Sequence, residues 1–174
     1  MGNENITVIS DAGPLIHLAE INCLPFLSLF EKLHIPDAVW LETVGKGRIQ
    51  ATEVLDLDNV QRHSLPQSDI VQFIANHQLK DIHTGERECL CLCQQLNIST
   101  LLTDDLAVRK AAKLLNLKPV GSLGIIAKAY YQGLISITVA ENHLLNLYDK
   151  SSLFVTKAIV ELAIEQLHQL NPNH

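Results

Sequence analysis

No run of apolar residues in this sequence approaches the roughly 18 that a membrane-spanning helix requires, so a bilayer-embedded segment is not expected. Net positive charge is missing too. There are 19 acidic residues against 13 basic ones, a balance of −6, with no dense basic patch. Lys110, Lys113, Lys118 and Lys128 with Arg109 form only a loose basic zone. That argues against a dedicated high-affinity nucleic-acid binder, which would show a basic face. It leaves room for an enzyme that meets nucleic acid transiently through a metal. The glycines form no phosphate-cradling loop, no Gly-x-Ser-x-Gly elbow is present, and no Cys/His spacing fits zinc. The four cysteines are Cys23, Cys89, Cys91 and Cys93. Three of them share one predicted helix, where Cys89 and Cys93 lie on one face and Cys91 points away. They cannot converge on one metal and read as buried thiols, which suits the reducing cytoplasm. The polar start Met1-Gly2-Asn3-Glu4-Asn5 lacks the basic-then-apolar design of a secretory leader, and Ile6 occupies the place where a myristoylation site needs Ser or Thr.

What remains is 174 residues, 47% apolar and 18% charged, enough for one globular domain with a real core. No repeat, low-complexity stretch or linker interrupts it. Residues 6–10 read as a first, central strand, and Pro14 suits the first turn of a following helix. A short helix is expected around Pro25–Glu31, a strand at 33–35, and a helix opened by Pro36 and Asp37 that runs through Trp40 to Glu42. Further on, the pattern predicts a helix over 47–56, a strand over 57–61 and a helix over 69–79 capped by Ser68. Thr84 is the expected cap of a helix over 85–96 that ends at Asn97. A strand over 98–103, a helix over 106–115 with an apolar stripe, and a strand over 117–120 come next. Ser122 begins a helix stopped at Gly133, and two more helices are expected near 138–147 and 152–170. Alternation of strands and helices predicts an α/β fold, three layers α/β/α around a central, mostly parallel sheet, plus C-terminal helices.

Acids stand at informative places. Asp11 closes the first strand and Asp104, followed by Asp105, closes the strand over 98–103. In an open parallel sheet, ligands bind in the crevice outside the carboxyl ends of the strands. Glu42 and Glu86 lie on helices whose starts can face the same edge. Each acid also has a plain structural role: Glu42 as a solvated helix acid, Glu86 as a first-turn acid on the helix dipole, Asp104 as a helix cap. Asp11, in apolar surroundings, needs a partner. Two carboxylates about 4 Å apart repel by roughly 4 kcal/mol at an effective dielectric near 20. A cluster of them must bind a cation, share a proton or strain the fold. A hard cation such as Mg²⁺ would relieve the repulsion and keep waters for phosphoryl chemistry. Arg109 or Lys110 is positioned to hold a substrate phosphate or to serve as a solvated helix charge. His17 lies within reach of the pocket and otherwise reads as a packing or surface residue, and Trp40 as core.

Several of these segments resemble motifs of the PIN-domain family. Ser10-Asp11-Ala12-Gly13-Pro14-Leu15-Ile16 looks like its opening strand–turn motif, and Pro36-Asp37-Ala38-Val39-Trp40-Leu41-Glu42 like its second. Thr84-Gly85-Glu86-Arg87-Glu88 looks like its Gly-Glu helix start. Leu101-Leu102-Thr103-Asp104-Asp105 with Arg109 resembles its strand–acid–helix motif, and Val120-Gly121-Ser122-Leu123-Gly124 with Gln132-Gly133-Leu134-Ile135 completes the series. The resemblance covers residues 6–136 in order. It implies a nuclease domain over 1–136, with 137–174 a C-terminal helical extension packed on the same domain. It also implies a metal-dependent ribonuclease holding Mg²⁺ or Mn²⁺ through Asp11, Glu86 and Asp104, with Asp105 a further metal ligand and Glu42 a further catalytic acid. Many relatives, the VapC-type toxins among them, are toxins of toxin–antitoxin pairs and dimeric, so RNA, an antitoxin protein and a second copy are the expected partners. One departure stands out. Gly13 occupies a position where many PIN nucleases carry Ser or Thr, so a hydroxyl is missing, and Ser10 or Thr103 is the candidate to replace it. Two alternatives follow: a catalytically weak module acting through protein association, and a phosphatase or nucleotide hydrolase using the same acids.

Overall fold

A computed structural model describes residues 6–79 and 81–169. The polar opening at 1–5 and the last residues of the C-terminal extension, 170–174, lie outside the described residues.

The chain adopts the expected α/β/α arrangement. Five parallel strands are hydrogen-bonded in the order β3-β2-β1-β4-β5: β1 (Thr7–Ser10), β2 (Lys32–Pro36), β3 (Val60–His63), β4 (Thr100–Leu102) and β5 (Lys118–Val120). The first strand is central because it is apolar on both faces: Val8, Ile9 and Ser10 are fully buried, as parallel strands covered by helices must be. Chain order runs outward from β1 through β2 to β3 on one side and resumes from β4 to β5 on the other. The topological switch therefore falls between β1 and β4, where Ile9 pairs with Leu101 and Ser10 with Leu102. A crevice opens at such a point, beyond the carboxyl ends of both strands.

The helices are α1 (Ala12–Glu20), α2 (Asp37–Trp40), α3 (Ala51–Leu55), α4 (Gln67–His77), α5 (Thr84–Leu96), α6 (Leu106–Leu114), α7 (Ser122–Tyr131), α8 (Ile137–Lys150) and α9 (Lys157–Gln169). A 3-10 turn, Leu24–Leu29, precedes β2, and α2 continues into a π turn, Leu41–Gly45. Helix α5 is buried on more than one side. Cys89 lies against the Ser10 carbonyl and Cys91 against the Asp69 carbonyl of α4. All four cysteines are free and buried, Cys91 included, although helical spacing points it away from Cys89 and Cys93. Asn97, at φ 53°, ends α5 in the left-handed conformation, and Gly133, at φ 74°, follows α7.

Several boundaries differ from the sequence pattern for identifiable reasons. The edge strand β3 lies over 60–63 rather than 57–61. Leu57 is buried but sits in the turn after α3, where its N–H donates to the Val54 carbonyl at 3.2 Å. The strand proper exposes Gln61 and Arg62, as one-sided edge strands do. Helix α3 is shorter than 47–56 because Gly47, at φ 68°, turns the chain first. Helix α4 begins at Gln67 after Pro66, so Ser68 lies inside it rather than capping it. Residues 151–156 form an irregular connector, and α9 starts only at Lys157.

Helices α8 and α9 bury Ala140, Leu144, Leu147, Val160 and Leu167 in the same hydrophobic cluster as the strands.

Candidate active site

Asp11 continues β1 past its last residue. Its N–H donates to the Leu102 carbonyl at 2.9 Å, which fixes the backbone against β4. The side chain then caps α1: Oδ1 accepts from the Ala12 N–H at 2.8 Å, while Oδ2 accepts from the Thr103 hydroxyl at 3.1 Å. The residue is 6% exposed. Burial pushes its carboxyl up to about 7, aided by the charges of Glu86 and Glu42 and opposed by the Ala12 N–H and the Thr103 hydroxyl. A carboxyl held there is poised between protonated and charged forms at neutral pH.

Glu86 reaches the same crevice from the first turn of α5. Its Oε2 accepts from the His83 N–H at 2.8 Å, a reciprocal capping arrangement in which His83, not Thr84, is the N-cap. Burial raises its carboxyl, as do the neighbouring charges of Asp105 and Glu42, while the His83 N–H opposes. Glu42 sits in the π turn, one residue wider than an α turn, a geometry common at functional sites. The Thr43 hydroxyl stabilises this turn by donating to the Val39 carbonyl at 2.8 Å. The Glu42 carboxylate lies over the start of α5: a Cβ at Gly85 would meet its Oε2 at 3.5 Å and Val39 at 3.6 Å.

The adjacent pair at the end of β4 divides its work. Asp105, exposed, is the N-cap of α6 and accepts from the Ala107 and Val108 N–H groups at 2.8 and 2.9 Å. Asp104, the expected cap, instead bridges to other elements. Its Oδ1 accepts from the Ser122 N–H at 2.7 Å, and its Oδ2 from the Ser122 hydroxyl at 2.6 Å and from His17 Nδ1 at 2.7 Å. The start of α7 thus grips Asp104 through an otherwise orphan N–H. Gly121 permits the approach, since a Cβ there would stand 2.8 Å from Asp104 Oδ1. Arg109 donates to the Thr103 carbonyl at 3.2 Å, bracing the end of β4.

The five expected site residues therefore meet at one edge of the sheet, but not as a finished cage. Among the described residues, no three His, Cys, Asp or Glu side chains converge closely enough to hold a metal ion. The reason is visible in the hydrogen bonds: Asp11, Glu86, Asp104 and Asp105 each accept from a backbone N–H, which holds mutually repelling carboxylates apart. The donor set itself, all carboxylate oxygen with two members raised by burial and by neighbouring carboxylates, fits a hard divalent cation.

Ser122 is legible in the sequence only as a helix start, and of the two readings of His17, pocket or packing, its ring bond to Asp104 selects the pocket. The surroundings of Gly13 show which oxygen a hydroxyl there would meet. A Cβ there would lie 3.7 Å from Asp104 Oδ2, the oxygen that Ser122 already serves. Thr103 supplies a hydroxyl to Asp11, whereas Ser10 donates to the Asp11 backbone carbonyl at 2.9 Å and not to a carboxylate. A serine placed directly before an apolar helix and after a glycine was the signal available for Ser122.

No curated protein and no solved structure matches the chain significantly. A family model described as PIN domain matches residues 7–169. PIN domains are nuclease-type domains that typically use divalent metals. The match extends over both sheet halves and through α9, and with the acids of β1, α5 and β4 gathered at the topological switch, the chain belongs to the PIN-domain family.

Proposed function

We propose that the protein is a metal-dependent endoribonuclease that cleaves RNA phosphodiester bonds, with Mg²⁺ or Mn²⁺ held by Asp11, Glu86, Asp104 and Asp105. The observation that carries this is Asp11: a buried carboxyl at the end of the central strand, raised to about 7 next to Glu86 and Glu42. When bound, the cation supplies a water acidic enough to attack at neutral pH and stabilises charge on the phosphate. Asp11 and Glu86 would hold it from β1 and α5. Glu42, the more exposed carboxylate, would be the group free to take up a proton at the crevice. Ser122 and His17 keep Asp104 in place, and Arg109 steadies Thr103, the residue that orients Asp11.

The working context we propose is the cytoplasm, as the toxin of a toxin–antitoxin pair and as a homodimer. Among the described residues no helix is long and apolar enough to cross a membrane. Exposed Val139, Leu145 and Tyr148 on α8 and Leu162 on α9 offer apolar surface to a second copy or a small antitoxin. One observation favours a second reading, a catalytically weak module acting through protein association: the Asp104 carboxylate already accepts three hydrogen bonds.

The test is cleavage of single-stranded RNA with and without Mn²⁺. The wild type cleaves only with metal, and Asp11→Asn loses that cleavage. Retained cleavage in the variant would sink the assignment. Calorimetric titration separates the second reading, which predicts no Mn²⁺ binding at millimolar concentration.

A further inference from the structure

A cleft of about 560 Å³ opens directly beside the Asp104 carboxylate, within the size range of small-molecule sites. Asp104 and Arg109 give part of its lining polar groups. Its walls are apolar, formed by Leu106, Leu123, Phe154 and Ile159. The outer wall is the connector between α8 and α9, and that connector is pinned. The Ser152 N–H and hydroxyl both donate to the Glu20 carboxylate, at 2.6 and 2.9 Å. The Ser151 hydroxyl donates to the Leu147 carbonyl at 2.5 Å. On this fixed backbone Phe154 stands 99% exposed, and Leu106, which lines the same cleft, is 74% exposed. A phenyl ring has no polar handle to compensate exposure, so a fully solvated one on a tethered turn beside a reaction centre marks a recognition surface.

The occupant must combine a flat apolar body with a polar, anionic end that reaches Arg109 and the acid crevice. An unpaired nucleotide has that layout. The overall charge of −6 argues against strong binding through phosphates and limits what the backbone of such a ligand can contribute. A chain with few cations gains little from the phosphate backbone, so its hold on single-stranded RNA must come from base stacking. We propose that this cleft seats an unpaired base of the RNA next to the scissile phosphodiester, with Phe154 as its stacking platform. The inference rests on the ribonuclease reading and adds to it a seat for one base of that single-stranded substrate.

The test uses the full chain and a short single-stranded RNA carrying 2-aminopurine, whose fluorescence falls on stacking, with Ca²⁺ in place of Mg²⁺ or Mn²⁺ so that it is bound without being cleaved. The wild type quenches the probe. Phe154→Leu, which keeps apolar bulk without the aromatic face, weakens binding about tenfold, as loss of one stacked base does, and quenches far less. Phe154→Tyr restores both. In cleavage assays F154L raises KM more than it lowers kcat. Binding and quenching by F154L equal to the wild type, while metal-dependent cleavage persists, would overturn the stacking role and leave the nuclease reading standing. A change of oligomeric state in F154L with RNA binding intact would also overturn it, marking the face as a protein interface. A wild type that neither binds nor cleaves RNA would remove both readings together.

Discussion

At Asp11 the folded chain keeps a 6% exposed carboxyl within range of the charges of Glu86 and Glu42, and this fixes how stability depends on pH. The group sits at about 7 in the fold against an ordinary value of 3.8. Between those values the folded state holds a proton that the unfolded chain releases, so stability falls as pH rises. The contribution is fully present below about pH 4 and lost as pH passes about 7, on the order of 4 kcal/mol in all. Asp11→Asn keeps an acceptor for the Ala12 N–H, since Asn caps helices as well as Asp, and carries no charge. In chelator near pH 8, calorimetry should show the variant melting several degrees above the wild type, at about 2–4 °C per kcal/mol. The gap should close at about pH 4. A gap that stays constant with pH would mean that Asp11 is not buried in its charged form. Asp11 and Asp104 were legible in the sequence because each closes an apolar strand, a one-dimensional signal. The grip on Asp104 was not. Ser122 lies 18 residues away and His17 lies 87 away, and only the strand order brings α1, β4 and α7 to one carboxylate.

At the scale of elements, the site is a set of helix starts turned toward one sheet edge. Asp11 caps α1, Asp105 caps α6, Asp104 binds the first N–H of α7, and Glu88 accepts from the Ala38 N–H of α2 at 3.1 Å. Two glycines test this arrangement in opposite directions. At Gly121 an added Cβ meets Asp104 Oδ1 at 2.8 Å and Arg109 Nη1 at 3.3 Å, so Gly121→Ala must displace the carboxylate or lift α7. Urea denaturation should show a loss of about 1–3 kcal/mol, the usual scale of overpacking, together with lost RNA cleavage. At Gly13 the nearest atom to an added Cβ is 3.5 Å away, an ordinary contact, and the position lies in the first turn of α1. Gly13→Ala should therefore be neutral or stabilising by up to about 1 kcal/mol, the helical difference between the two residues. Equal destabilisation by both would refute the close approach of α7 to Asp104. Elements with strong periodicity, such as α5 and α6, were readable from sequence. The π turn holding Glu42 was not, because the extra residue leaves no mark in the hydrophobic pattern. Nor was the connector 151–156, where Leu153, Phe154 and Val155 look helical but follow the Glu20 tether.

For the whole molecule, alternation of strands and helices was enough to predict three layers and a parallel sheet, but not which strands are neighbours. Strand order is decided by long-range pairing, and here it puts β1 beside β4 and opens the crevice between them. The C-terminal helices raise the same issue of long-range dependence. The sequence reading makes them an extension after residue 136, packed on the same domain. The structure has Ala140, Leu144 and Leu147 of α8 and Val160 and Leu167 of α9 in the common cluster, and the Ser152–Glu20 bonds tie their connector to α1. Burying one large apolar side chain contributes about 1.5–3 kcal/mol. The loss of these five is on the order of 10 kcal/mol, comparable with the 5–15 kcal/mol by which an ordinary domain is stable. A chain ended at residue 136 would also uncover the helix faces they protect. It should therefore fail to give a cooperative thermal transition and should bind hydrophobic dyes, although its strands and acids are all present. Circular dichroism melting of the 1–136 chain beside the full chain decides the matter. A sharp transition in the shorter chain would show that the sheet and its acid crevice stand alone, with α8 and α9 only resting on them. A broad one would show that the acids at the switch point are held in register by helices that follow the last of them by more than thirty residues.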